Sequence, residues 1–579
     1  MIKLLRFMKP YRMIVVLVLV LAFAQSMANL YLPTLMADIV DKGIVTGDTG
    51  YIWRTGGLML LVTIGGVICA IIGSFFAARV ATGFGKIIRA QIFNRVAKFS
   101  LHEFDTVSTA SLITRTTNDT TQVQQVWIII LGIMITAPMM MIGGIILAVA
   151  QDATLSWILV VVIRVLVAAI VVLMRKAIPL FRVMQTKLDK LNLILDEGLT
   201  GVRVIRAFDR MKYEERRFDE ANLDLTNVAI RVNRIIASLM PIMMLVLNVS
   251  SVAILWFGAI RINNGQMQVG ALIAFLQYAM QILFGLLMVS MMFIMLPRAA
   301  ASADRINEVL AMEPEIEDAE QVKRADEMKG YVEFQDVTFS YPGAEEPALN
   351  NISFSAEPGE VTAIIGGTGA GKSTLVSLIP RFYDIDSGHL LVDGVDIREM
   401  AQQDLRAKIG FMPQKAVLFS GTIAENIRYG KEDASDEEVE HAAEVAQATE
   451  FISEMKDGYD SVIAQGGTNV SGGQKQRLSI ARALVREPEI YVFDDSFSAL
   501  DFKTEARLRG ALKRETLDAT VLIVAQRVST VMDADQIVVL DEGRVAGIGT
   551  HRALMRSCEV YREIVTSQLS MEEIAEEIA

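Results

Sequence analysis

GGTGAGKST, residues Gly366 to Thr374, is the stretch from which the rest of the chain is read. Gly366, Gly371, Lys372 and Ser373 stand at the G-x-x-x-x-G-K-[ST] spacing of the phosphate-binding loop. The flanks suit it. Val361 to Ile365 is a short apolar run of β type, and Leu375 to Ile379 opens a helical pattern. Such a strand–loop–helix turns successive backbone N–H groups toward an anion at a helix N-terminus. Lys372 has the reach for β- and γ-phosphates, and the Ser373 hydroxyl can ligate Mg²⁺. The candidate nucleotide-binding residues here are Gly366, Thr368, Gly369, Ala370, Gly371, Lys372, Ser373 and Thr374.

From Tyr331 onward the text consists of short strands, glycine turns and amphipathic helices, which predicts an α/β domain. IYVFDD (490–495) reads as a buried strand ending in two carboxylates, and Asp494 takes the place that holds Mg²⁺ beside a phosphate loop. Gln414, in FMPQ, stands at a strand end between these two motifs. NVSGGQKQR (469–477) sets Ser471, Gly472, Gly473 and Gln474 just ahead of a helix, a second cradle of N–H groups for phosphate.

The first half is of another kind. The 579 residues are 52% AVILMFWYC with a mean hydropathy of +0.39, too apolar for an ordinary soluble enzyme. Six apolar stretches, at 13–36, 55–78, 126–150, 153–174, 236–260 and 270–296, come near or above the length that crosses a bilayer. Basic residues alternate by loop. Lys3, Arg6, Lys9 and Arg12 precede the first stretch; Lys86, Arg89, Arg95, Lys98 and Arg115 separate the second and third. Lys176, Lys187, Lys190, Arg203 and Arg206 separate the fourth and fifth, whereas the loops at 151–153 and 263–268 carry few or none. Both termini are therefore expected in the cytoplasm. Ala22-Phe23-Ala24 offers a signal-cleavage site, but the apolar run continues to Leu35, too long for a signal core.

Two segments, 79–125 and 175–234, carry helical patterns beyond the membrane. Within them TASLITRTTNDT (109–120) and DEGLTGVRVIRAF (196–208) each hold a short turn, suited to docking on a cytosolic domain or to a plain helical hairpin. Arg164 interrupts an apolar stretch and either faces a cavity or snorkels. Met139 to Met141, Met240, Met243, Met244, Met280, Met288, Met291, Met292 and Met295 crowd the third, fifth and sixth stretches, as pocket lining or as ordinary packing. The acidic end, MEEIAEEIA (571–579), is either a helix at a dimer contact through Ile574 and Ile578 or a frayed tail. The domains expected are a transmembrane domain over 1–300, a charged linker over 301–330 and a nucleotide-binding domain over 331–579. The net charge of −12 implies no basic surface and excludes a nucleic-acid partner. Cys69 and Cys558 form no CxxC, and the four histidines are too scattered to suggest a metal cluster.

GGTGAGKST, FMPQ, VSGGQ, IYVFDD and SALD (498–501), in that order, resemble the nucleotide-binding domain of ABC transporters. With six preceding spans, the whole chain resembles an ABC exporter half-transporter of the bacterial heterodimeric multidrug type. The fold class this implies is an all-α membrane domain of six helices with long cytosolic extensions, followed by an α/β P-loop domain. The resemblance implies ATP and Mg²⁺ as cofactors, Tyr341 stacking on adenine, and Mg²⁺ at Ser373, Gln414 and Asp494. It implies that Ser471, Gly472, Gly473 and Gln474 contact the nucleotide held by an opposing subunit. It also implies that Ser498, Ala499, Leu500 and Asp501 form the D-loop, and that 109–120 and 196–208 contain the helices coupling the two domains.

The sequence departs from the family's pattern at two catalytic positions. Asp495 stands where a glutamate polarises the attacking water, and Gln526 stands where a histidine contacts the γ-phosphate. The carboxylate is one methylene short, and an amide carries neither a proton nor a positive charge. VSGGQ is whole apart from Val470 in place of leucine. The expectation is a site that binds ATP and hydrolyses it slowly, completed by a second, non-identical half-transporter. The setting is the lipid bilayer of the cell (inner) membrane, and the cargo an apolar or amphiphilic compound, drug or lipid. An ATP-gated regulator or channel and a homodimeric lipid flippase are the alternatives. Six spans and the acidic balance exclude a DNA-maintenance ATPase of the same superfamily.

Overall fold

A computed structural model describes residues 1–319, 321–324 and 329–569. Contacts divide the chain into two units, Met1–Ala97 with Ala110–Met312, and Lys98–Thr109 with the residues from Glu313 onward.

The first unit is helical. Its long helices are α1 (Arg12–Asp38), α2 (Thr49–Val96), α5 (Thr120–Gln151), α6 (Ser156–Thr200), α8 (Met211–Asn263) and α9 (Val269–Ala311). The short helices α4 (Thr109–Thr114) and α7 (Val202–Ala207) lie between them, and α3 (Leu101–Val107) is the one that belongs to the second unit. Among the described residues six helices are long and apolar enough to span a bilayer, in agreement with the six stretches read from the sequence. Their apolar side chains point largely outward: Leu61 is 68% exposed, Ile71 64% and Trp256 66%. A water-soluble protein would bury such groups, so the solvent of this surface is lipid. Proline at 33, 138, 179, 241 and 297 sits inside these helices. The unit's own core joins Leu30 and Ala37 of α1, Ala148 of α5, Leu159 of α6, Ile254 of α8 and Phe275, Tyr278 and Ile282 of α9. Met243 is buried with Leu166 and Leu283 in a separate small cluster, whereas Met240, Met244 and Met280 are exposed; Met291 and Met292 lie outside the described side chains.

The segment 109–120 does not hold the short turn expected there, whether for docking or for a plain hairpin. A π-helical turn over Arg115–Asp119 carries α4 on into α5 without a break. Both charged ends of that turn are buried. Asp119 accepts from Ser302 Oγ at 2.9 Å and from Arg305 Nε at 2.8 Å, and Arg115 pairs with Glu308 at 2.8 Å. The detached helix is α3, a few residues earlier. Ser100 begins it, donating its backbone N–H and its hydroxyl to Glu103, each at 2.6 Å. Glu103 Oε1 in turn accepts from the backbone N–H of Glu315 at 2.9 Å. The turn expected within 196–208 is present: Gly201 separates α6 from α7, and α7 has no buried residue.

The second unit is an α/β fold. In chain order it contains β1 (Val332–Phe339), β2 (Leu349–Ala356), β3 (Val361–Gly366), α10 (Lys372–Leu378), β4 (Ser387–Val392), β5 (Val395–Asp396), α11 (Gln402–Ala407) and β6 (Ile409–Met412). A helical stretch follows, with β7 (Gly421–Thr422), α12 (Ile423–Arg428), α13 (Asp436–Val445), α14 (Thr449–Glu454), β8 (Val462–Ile463) and α15 (Gly472–Leu484). The last part holds β9 (Ile490–Asp494), α16 (Phe502–Glu515), β10 (Thr520–Val524), α17 (Val528–Val531), β11 (Gln536–Asp541), β12 (Arg544–Gly549), α18 (His551–Ser557) and α19 (Glu559–Gln568). One sheet runs β2-β1-β4-β5; the other runs β12-β11-β3-β10-β9-β6 and is parallel except for β12. In a parallel sheet all the C-terminal strand ends share one edge, where ligands of such folds gather. Here that edge carries the P-loop after β3, Asp494 and Asp495 at the end of β9, Gln526 after β10 and Gln414 after β6. The 571–579 tail lies outside the described residues.

Candidate active site

The loop after β3 needs its glycines. A Cβ at Gly366 would lie 2.3 Å from the Leu540 carbonyl oxygen. Gly369 and Gly371 sit at φ +85° and +92°, a left-handed conformation that favours glycine. The loop then feeds α10, whose first N–H groups face outward from its N-terminus. Lys372 Nζ donates to the carbonyls of Gly366 (2.9 Å) and Gly367 (2.7 Å), which folds the lysine back over the loop. Burial pushes the Lys372 ammonium below its ordinary pKa, opposed by Asp495 and Asp494 nearby.

Ser373 Oγ donates to Asp494 Oδ1 at 2.9 Å, so two of the three expected Mg²⁺ partners already touch. Asp494 is 5% exposed at the end of a strand with every residue buried. Burial raises its pKa, Ser373 works against that, and the adjacent Asp495 carboxylate adds to the rise. A hydroxyl and a carboxylate crowded by a second carboxylate form a hard-oxygen donor set short of positive charge, which fits Mg²⁺. Thr374 Oγ1 and the Tyr341 hydroxyl share a hydrogen bond of 2.9 Å. The Tyr341 ring is 40% exposed and is held edge-on by Phe339 and Tyr383, with centroids at 5.1 and 5.4 Å, leaving it able to stack on a planar base.

The two unusual positions meet. Gln526 Nε2 donates to Asp495 Oδ2 at 2.9 Å, and the Gln414 side chain bonds the same carboxylate. Burial raises the Asp495 pKa, and Gln414, Lys372 and Ser498 oppose the shift. Asp495 itself sits at φ +48°.

Ser471 caps α15 in a reciprocal box: its N–H donates to Gln474 Oε1 at 2.8 Å, and Gln474 N–H returns to Ser471 Oγ at 3.3 Å. Gly472 and Gly473 then present bare backbone beside Ala499; a Cβ at Gly473 would lie 3.0 Å from the Ala499 carbonyl oxygen. Among the described residues no hydrogen bond joins Ser471–Gln474 to Gly366–Thr374. The stretch 498–501 is pinned on several sides. Ser498 Oγ donates to the Asp495 carbonyl at 3.0 Å, Leu500 is buried, and Asp501 caps α16 by accepting from Thr504 N–H at 3.0 Å.

Three supporting residues were not read from the sequence. Gln476, buried on α15, accepts from Ala499 N–H at 3.1 Å and so ties α15 to 498–501. Arg527 contacts the Ser498 carbonyl at 3.4 Å, pairs with Glu505 and covers the Phe502 ring. Gln568 of α19 accepts from Val528 N–H and donates to the Gln526 carbonyl, both at 2.8 Å, clamping the loop after β10. No local pattern marks a glutamine for such a role; only the topology brings these together.

Known proteins share this architecture. The family description "ABC transporter transmembrane region" matches residues 15–287, and "ABC transporter" matches 349–498. An uncharacterized ABC transporter ATP-binding protein of Mycobacterium tuberculosis is 44% identical over 564 residues, 97% of this chain and 97% of that protein. A putative multidrug export ATP-binding/permease protein of Bacillus subtilis is 32% identical over 578 residues, covering 97% and 98%. An ATP-dependent lipid A-core flippase of Pseudomonas fluorescens is 34% identical over 513 residues, covering 88% and 84%. Among solved structures, a bacterial Atm1-family ABC exporter with ATP bound superposes with a TM-score of 0.79 at 26% identity, covering 96% of this chain and 97% of that one.

Proposed function

The chain belongs to the ABC transporter family, a multi-pass exporter that couples ATP hydrolysis to transport, and on that premise we propose that it is one half of a heterodimer whose own site holds ATP but cleaves it slowly. The observation that carries this reading is the 2.9 Å hydrogen bond from Gln526 to Asp495. Both catalytic positions are altered, and the altered groups satisfy each other. Asp495 stops one methylene short of where a glutamate would reach, and one of its oxygens is already spent on the Gln526 amide. The amide cannot supply the proton or charge of an imidazole.

The rest of the site suits nucleotide binding. Lys372 and the N–H groups at the start of α10 would hold the β- and γ-phosphates, Tyr341 the adenine, and Ser373, Asp494 and Gln414 the magnesium ion. When bound, Mg²⁺ would neutralise negative charge on the phosphates. Ser471 to Gln474 keep the family pattern and would complete the partner's site, where a glutamate and a histidine do the cutting. ATP between two such domains favours their closed arrangement, and hydrolysis at the competent site weakens it. That is a population shift set by differential affinity. The alternation of basic loops supports a cytoplasmic side for both termini and the nucleotide domain, with the spans in a cell (inner) membrane. The apolar spans, and relatives named for multidrug export and lipid A-core flipping, support an apolar or amphiphilic cargo.

Co-purification tests the proposal. A second half-transporter bearing Glu and His at the equivalent positions should accompany the chain, and the chain alone should bind Mg-ATP with very slow turnover. Brisk turnover by the isolated chain would overturn it.

A further inference from the structure

The six apolar stretches hold a single charged residue, Arg164, and no acidic one. In α6 Arg164 is exposed, and among the described residues it has no hydrogen-bond or ion-pair partner. It lies eight residues beyond Ser156 and eleven before Arg175, hence about 12 Å from one end of the apolar run and about 16 Å from the other. Its stem is too short to carry the guanidinium to either interface from there, and a lipid-facing charge at that depth is costly. A second copy of this chain offers no carboxylate at that depth, because none of the six stretches contains one.

An apolar groove adjoins it. About 300 Å³ in volume, the groove lies between α5 and α6 and is lined by Ile145, Val149, Trp157, Leu159, Val160 and Ile163 among others. Trp157 and Val160 are seven and four residues before Arg164, so all three share a helix face. Arg164 does not itself line the groove, but its neighbour Ile163 does, and long helical side chains lean toward the helix N-terminus, the direction of the turn that lines it.

We infer that groove and guanidinium together form a subsite for an anionic amphiphile, its tail along α5 and α6 and its carboxylate or phosphate head on Arg164. The inference rests on the export reading above and names the substrate class. Arginine's planar fork suits such heads, and a water-poor setting strengthens the pairing. The depth separates cargo from resident lipid. A bilayer phospholipid keeps its phosphate at the interface, about 12 Å short of Arg164, whereas a molecule crossing the membrane must bring its head to mid-depth.

The test uses the full-length chain, with the partner it is purified with, in phosphatidylcholine nanodiscs. The probes are pyrene-labelled dodecanoate and its methyl ester. The carboxylate should bind at least about tenfold tighter than the ester. Arg164→Leu should erase that preference without weakening the ester, and Arg164→Lys should keep part of it. An unselective wild type, a preference that survives Arg164→Leu, or a phosphatidylglycerol that the carboxylate cannot displace would overturn the subsite. ATP-driven uptake into inside-out vesicles keeps the two readings apart. Uptake of the ester or a cationic dye, with no charge preference in binding, sinks the subsite and leaves export standing. Charge-selective binding with no ATP-driven uptake of any amphiphile leaves the subsite and sinks export.

Discussion

Asp495→Glu and Gln526→His, made singly and together, probe the bonded pair directly. The added methylene moves the carboxylate forward by about 1.5 Å, a scale of displacement worth about a hundredfold in rate. Asp495→Glu alone cannot realise that gain, because the Gln526 amide at 2.9 Å still occupies one oxygen. The site also sits at φ +48°, which aspartate tolerates better than glutamate. Gln526→His alone supplies an imidazole while leaving the carboxylate set back. Each single change should therefore raise turnover by no more than about threefold, and the double by about a hundredfold, a coupling of about 1.4 kcal/mol. The assay is single-turnover ATP hydrolysis by the complex, with the partner's own catalytic carboxylate neutralised so that only this pocket is read. ATP affinity serves as the control and should stay unchanged. A double mutant equal to the product of the singles would refute the idea that the residues act as a pair. No gain in any variant would place the cause of slow turnover elsewhere, such as the signature segment facing the pocket.

Three further outcomes are expected. Gln568→Leu should speed amide hydrogen exchange at Val528 severalfold, since it removes two backbone contacts worth about 1 kcal/mol each; unchanged protection would mean that α19 does not clamp the loop. Asp119→Ala should destabilise the membrane unit by about 1–3 kcal/mol in thermal unfolding, because the hydrogen bonds from Ser302 and Arg305 to the buried carboxylate are lost while half-exposed Arg305 can turn to solvent, with Asp119→Asn milder. For Asp396, burial alone would raise the carboxyl pKa, but Arg398 and His389 hold it at about 2. A depressed carboxyl pKa contributes stability that is full above the unfolded value and lost as pH falls through the folded one. Its contribution of about 2 kcal/mol should therefore hold from neutrality to about pH 5 and fade between about pH 4 and 2. Arg398→Ala should remove that acid-limb feature from a pH series of unfolding midpoints.

The strand–loop–helix at Gly366 to Thr374 was legible because a phosphate loop demands particular residues at fixed spacing. Gly366, Lys372, Ser373 and Asp494 sit where the motif implied, and parallel strands bring them to one edge. The spans were legible because lipid reverses the usual outward polarity. What was hard to read was set by tertiary contact. The stretch 109–120 looks like a turn by local polarity, yet Arg305, Ser302 and Glu308 of a helix some 180 residues later satisfy its charges and let the helix run on. The neighbouring helix did carry a usable sign, the Ser100-x-x-Glu103 capping pattern, which marks its start. Gln476, Arg527 and Gln568 carry none, since a glutamine or arginine in a helix or loop is ordinary until its neighbours are known.

Gln476 has a further implication for a paired assembly. From the second turn of α15 it grips the backbone of Ala499, four residues past Asp495, while the tip of the same helix displays Ser471 to Gln474. The same end of the helix would rest on the neighbour's nucleotide and, through Ala499, beside the chain's own. Neither pocket could then register the loss of a phosphate in private, so a slow pocket would still act as a timer for the fast one.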